Sequence, residues 1–142
     1  MSYYLTIIGS NNAPVYELDI GSYKQNSNGI FKFPDNINNL KQFIANSSLD
    51  ILENIQFNSQ QHYFNNIDSF YGYSTFIFLT QSNIKYIILT NSKNLDESIR
   101  QFFIELNELY LKKLLSPFYD YNSPINSKFF TTRVKNIAKK YL

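Results

Sequence analysis

Residues 73–90 read YSTFIFLTQSNIKYIILT, and the placing of apolar side chains along them decides the fold. Two runs, 73–80 and 84–90, are apolar at successive positions instead of alternating, so each reads as a strand buried on both faces. The short polar link Gln81-Ser82-Asn83 between them closes an antiparallel hairpin. A sheet buried on both sides needs cover on both sides, and the rest of the chain must supply it.

Downstream, Asn94 caps a helix and Glu97, three residues on, completes a capping box. Ile99, Phe102, Phe103, Leu106, Leu109, Tyr110 and Leu114 form its apolar stripe, and Pro117 ends it. A loop through Pro124 leads to a last helix at 127–142, with Phe130, Val134, Ile137, Ala138 and Tyr141 on one face. Upstream, 62–69 is a weaker strand expected at a sheet edge. Before it, Leu40, Phe43, Ile44, Ser47, Ser48, Ile51 and Ile55 fall at three- and four-residue spacing, an amphipathic helix with two small residues on its packing face. A polar loop at 21–29 separates that helix from two strands, 3–8 and 15–20, joined by the turn Asn11-Asn12-Ala13-Pro14. The order is β-β-α-β-β-β-α-α, an α/β (α+β) pattern. The economical packing puts the first helix on one sheet face and the last two on the other. No internal repeat and no linker divides the chain, so 1–142 is expected to form one domain.

Composition narrows the function. Hydrophobic residues make up 44% of the chain and aromatics 18%, which excludes a disordered polymer. The absence of cysteine removes disulfides, thiolate metal sites and a cysteine nucleophile. No basic region followed by a long apolar run opens the chain, and the stretch 3–8 is far shorter than the about 20 residues a bilayer span takes. A cytosolic protein is the expectation. Charge is unevenly placed: through Leu111 ten acids face six bases, while from Lys112 onward seven bases face Asp120 alone. That basic end suits either a solvated helix face or a contact with anionic lipid or an acidic protein.

The residue types that carry chemistry are not gathered into any recognisable constellation. His62 is the one histidine, and it has no accompanying carboxylate pair with metal-ligand spacing. Gly9 and Gly21 stand alone, outside any phosphate-cradling loop. No nucleophile elbow surrounds a serine. The aromatics follow strand and helix periods, as a core requires, and form no platform flanked by Lys and Arg for stacking on bases. The expectation is a protein with no catalytic, metal or cofactor site and no nucleic-acid partner.

Two segments invite more than a structural role. In QFIANSSLD, residues 42–50, Asp50 falls beside Phe43 at the edge of the apolar stripe, and Leu49 points away from it. Asp50 can be a solvated carboxylate, or it can fix the register of a partner at an interface rim. In SPFYDYNSPI, residues 116–125, two prolines and three aromatics describe a stiff loop. It either packs Phe118 and Tyr119 back on the sheet or contacts a partner directly.

Taken in order along the chain, these pieces resemble the sedlin family of TRAPP vesicle-tethering subunits. The opening strand 4–9 and APVYE at 13–17 are similar to a family stretch that typically reads NPVYE. QFIANSSLD follows, then Asp68-Ser69-Phe70 and the strand 86–89. SPFYDYNSPINSKFF at 116–130 is the most specific match, to a family pattern NPFY…PI.S..F, and the basic end from Arg133 to Leu142 also corresponds. Ser116 and Ala13 stand where the family usually has Asn, and Asn46-Ser47-Ser48 replaces a stretch richer in His and Ala. A sedlin-like paralogue shares several motifs, but the FIA…SLD helix and the long basic end favour sedlin itself.

The resemblance implies a longin-like fold, with a five-stranded antiparallel sheet carrying one helix on one face and two on the other. It implies a non-catalytic adaptor within a complex that promotes nucleotide exchange on a Rab GTPase during ER-to-Golgi and later traffic. Such a subunit would sit toward an end of a rod and join its core to complex-specific subunits, with peripheral contact with ER and Golgi membranes through the complex. The family's helix aspartate tied to partner binding matches Asp50, and Phe43, Asn46 and Leu49 around it complete the expected partner-binding set. The reading from another class is a longin-type trafficking domain that uses its basic last helix on a SNARE-like helix or an anionic membrane.

Overall fold

The computed structural model describes residues 2–9, 14–21, 47, 63–70, 73–80, 84–90, 96–116, 125 and 128–141. They comprise strands β1 (Ser2–Ile8), β2 (Pro14–Gly21), β3 (Tyr63–Phe70), β4 (Tyr73–Leu79) and β5 (Lys85–Thr90), then helices α1 (Asp96–Leu114) and α2 (Lys128–Tyr141). The strands form one antiparallel sheet in the order β2-β1-β5-β4-β3. The mixed α/β class, the antiparallel sheet and the two helices agree with the pattern read from the sequence.

β1 with β2 and β4 with β5 pair antiparallel, as expected of the two hairpins. At the tip of β4–β5, the Thr80 amide donates to the Ile84 carbonyl at 2.9 Å. The Ile84 amide in turn donates to the Thr80 hydroxyl at 3.1 Å. A threonine at that position satisfies backbone groups that the turn would otherwise leave bare. Pro14 opens β2, an edge strand, where its missing N–H costs no ladder bond. β3 lies at the opposite edge, as its weaker pattern suggests.

Register explains why the strands are apolar on both faces. On the helix-covered face, Leu18, Leu5, Ile88 and Phe76 form one cross-strand row, and Tyr16, Ile7, Tyr86, Phe78 and Tyr63 form the next. Against these rows pack Ile99, Phe102, Phe103, Leu106 and Tyr110 of α1 and Phe130, Val134 and Ala138 of α2, all buried. Each large side chain so buried stabilises the fold by about 1.5–3 kcal/mol. The other face is buried too, through Tyr4, Ile8, Ile77, Leu79, Ile87 and Leu89. The helix that the sequence sets against that face, 40–55, falls outside the described residues except for Ser47, which is helical and half-buried.

Aromatic contacts knit helices to sheet. Phe103 of α1 stacks on Phe78 at 6.0 Å and meets Tyr63 edge-on at 6.3 Å, while Tyr110 meets Tyr86 edge-on at 6.2 Å. Burial pushes the Tyr86 phenol far above its ordinary range, helped by the neighbouring Tyr110. It stays neutral and donates to Asn107 Oδ1 at 2.8 Å, so the polar end of a buried ring is satisfied.

The last helix is described over Lys128–Tyr141, within the expected 127–142. Phe130, Val134 and Ala138 are its buried residues, while Ile137 and Tyr141 are partly buried against the core. The turn of α2 nearest the sheet is fixed twice. Tyr16 meets Phe130 edge-on at 4.8 Å, and its hydroxyl shares a 2.7 Å hydrogen bond with Thr131. Just ahead of the helix, the Ile125 amide donates to the Val15 carbonyl at 2.7 Å, laying the incoming chain along the β2 edge. Asn94 of the expected capping box, and Phe118 and Tyr119 of the stiff loop, lie outside the described residues.

Candidate functional site

Among the described residues the exposed large hydrophobics, Ile104, Leu111, Leu115 and Phe129, all belong to the helix layer. Lys140 near the end of α2 pairs with Glu105 in the middle of α1, and the stretch 105–112 faces 133–140 across one groove, so α1 and α2 run antiparallel. Between them lies a shallow groove of about 290 Å³, lined by residues from Glu105 to Lys112 on one wall and from Arg133 to Lys140 on the other.

One end of this groove is closed electrostatically. Glu105 Oε1 accepts from Lys140 Nζ at 2.8 Å and from the Tyr141 hydroxyl at 2.7 Å. The hydrogen bond from Lys140, followed by that from Tyr141, holds the Glu105 carboxyl below its usual range, and the same contacts raise Lys140. The sign of the pH dependence follows. A carboxyl with a depressed folded-state pKa adds stability above its unfolded pKa and loses it as pH falls through the folded value. The raised ammonium contributes at all pH below its ordinary value of 10.5, and that contribution fades only in stronger alkali. We therefore expect Glu105→Gln to melt below the parent at neutral pH, and the gap to narrow progressively once pH drops beneath the ordinary carboxylate range. Paired thermal melts across that range check it. A gap that stayed constant would assign the effect to packing alone.

Outside the groove lining, two large apolar side chains of the helix layer are the most exposed. Leu115 is 84% exposed and Phe129 67%, and the Arg133 guanidinium lies 4.9 Å over the Phe129 ring. Sequence reading passed over both side chains because each stands next to a better-placed apolar neighbour, Leu114 or Phe130. Only one member of each doublet fits the buried stripe, and that misfit was the available signal.

The residues singled out from sequence do not enter this picture. Phe43, Asn46, Leu49, Asp50 and His62 all lie outside the described residues. Among the described residues no group of three His, Cys, Asp or Glu could hold a metal ion, and no helix is long and apolar enough to cross a membrane. On the second sheet face, burial followed by the charge of Glu17 pushes the Tyr4 phenol far up. A phenol so held serves as a hydrogen-bond donor to Glu17 and not as an acid or base near neutrality.

Similarity to known proteins extends over nearly all of the chain. The Transport protein particle 20 kDa subunit of Schizosaccharomyces pombe is 40% identical over 143 residues, covering 100% of both chains. The Trafficking protein particle complex subunit 20 of Saccharomyces cerevisiae is 30% identical over 177 residues, covering 100% of this chain and 99% of its own. The Probable trafficking protein particle complex subunit 2 of Drosophila melanogaster is 31% identical over 141 residues, covering 99% and 97%. The family model described as Sedlin matches residues 7–140. Since that match begins within β1 and ends within the last turn of α2, taking in the sheet and both helices, the chain belongs to the sedlin family.

Proposed function

We propose that this chain is a non-catalytic adaptor subunit of a TRAPP-type tethering complex in vesicle transport. The observation that carries the reading is the end-to-end match, at 40% identity, to a relative named as a transport protein particle subunit. In this reading the 142 residues form one longin-like domain, with the 40–55 segment as a third helix over the second sheet face. Phe43, Asn46, Leu49 and Asp50 bind a neighbouring subunit. The complex, not this chain alone, links it to a Rab GTPase and holds it at the periphery of ER and Golgi membranes. No cofactor and no nucleic acid take part.

An adaptor makes two demands that can be measured. The tagged protein, purified from its own cells, should bring other complex subunits with it at fixed stoichiometry. Recovery of the chain by itself, together with its pelleting on anionic vesicles, would overturn the reading. Further, the pure chain should not accelerate nucleotide release from a Rab GTPase when added in catalytic amounts, because an adaptor joins subunits and leaves exchange to the assembled complex. A release rate that rose with the amount of pure chain would overturn the non-catalytic part.

A further inference from the structure

The helix-layer groove is asymmetric in a way the adaptor reading does not use. At the Glu105 end, the carboxylate is already engaged by Lys140 and Tyr141. At the far end Lys112 and Arg133 line the two walls, and among the described residues no carboxylate forms an ion pair with either. Helix periodicity extends both walls past these cations: Leu115 stands one turn beyond Lys112, and Phe129 one turn before Arg133. The Arg133 guanidinium lies over the Phe129 ring, and the edge of such a fork is the part that grips a carboxylate in two parallel bonds. Exposed aromatic and aliphatic side chains beside such an arginine are the parts from which interface anchors are built.

We propose that the Lys112–Arg133 end of this groove docks an acidic segment of a partner protein, one that carries an aromatic or aliphatic side chain beside its carboxylate. Charge complementarity selects the occupant, since Lys112 and Arg133 supply positive charge that no described carboxylate pairs, Leu109 and Ile137 supply the apolar lining, and Phe129 and Leu115 stand exposed outside it. The small volume admits one or two side chains, not a whole helix. Glu108, which also lines the groove, stands one turn from Lys112 and opposes an incoming carboxylate. This surface shares no residue with the 40–55 segment, so it is a second docking site, and its test is independent of Asp50.

The probe is a labelled peptide of alternating Glu and Phe, with a matched peptide of alternating Gln and Phe, titrated into the full chain by fluorescence anisotropy. The acidic peptide should saturate the protein, weaken with added salt, and outbind the Gln peptide by about tenfold or more, as expected for a desolvated charge pair. Arg133→Glu should weaken it by a similar factor, and Glu108→Gln should tighten it. Arg133 is exposed, so the variant should melt like the parent. If it melts lower, Lys112→Gln on the other helix carries the same test. Equal binding of the two peptides, or indifference to the Arg133 or Lys112 change, overturns the proposal. So does capture of the chain by phosphatidylserine vesicles without any binding of the acidic peptide.

Discussion

Ending the chain before Phe130 should leave it largely unfolded. The deletion removes Phe130, Val134 and Ala138, all buried, and the partly buried Ile137 and Tyr141. It also strips the cover from Tyr16 and takes away that residue's hydroxyl partner, Thr131. Loss of a large, fully buried apolar side chain costs about 2–5 kcal/mol, and a domain of ordinary size has only about 5–15 kcal/mol in total. Two or three such losses are enough. Circular dichroism of the truncated chain should show no cooperative melt under conditions where the full chain melts sharply. If the truncated chain melted like the parent, α2 would be an accessory arm and not part of the core. The smaller change Phe130→Ala should keep the fold while lowering the melting temperature, since it removes one contact with Tyr16 and spares the rest of the helix.

Replacement of Asp50 by Tyr should act on assembly and hardly at all on folding. The helical wheel sets Asp50, as an expectation, at the edge of the apolar stripe, and a change at an exposed position costs a monomer under about 1 kcal/mol. At an interface the same change removes a charge and obstructs close approach. Truncating one partner of a buried charge pair costs about 2–5 kcal/mol, which corresponds to a roughly 30- to 4,000-fold weaker complex. The measurement pairs a thermal melt of Asp50→Tyr with its co-purification with other complex subunits. A variant that melts like the parent and loses particular subunits supports the adaptor role. One that keeps every subunit, or that loses them only because it unfolds, makes Asp50 a solvated or structural carboxylate. Binding of the Glu–Phe peptide to the helix groove should be unaffected by this variant, so the two docking sites can fail separately.

The parts of this fold legible from sequence are those that local chemistry decides. The doubly apolar runs around Phe76 and Ile87 admit only a strand covered on both faces, and the spacing of Ile99, Phe102, Phe103, Leu106 and Tyr110 admits only one buried helical stripe. Element type therefore followed from side-chain period. Strand order did not. Nothing within β1 or β5 reports that Leu5 pairs with both Leu18 and Ile88, because that choice is made by packing between segments far apart in the chain. The helix-layer groove was illegible for a related reason. Lys112 and Arg133 read as members of a basic run, and only the antiparallel approach of α1 and α2 puts them on facing walls. Phe129 was passed over because Phe130 beside it fits the buried stripe. Asp50 came from wheel geometry and from family resemblance together, and its segment lies outside the described residues.

The strand order also bears on how the protein is made. β1 leaves the ribosome well before β5, one of its two neighbours in the sheet, which lies about eighty positions later, and pairings so distant form slowly. Until β5 has emerged, the β1–β2 hairpin has an unpaired edge and presents Tyr3, Leu5 and Ile7 without their cover. A nascent chain in that condition is open to capture by other strands. Synthesis of this subunit thus contains an interval of exposure set by topology, and chaperone binding would be needed most between the appearance of β1 and the appearance of β5.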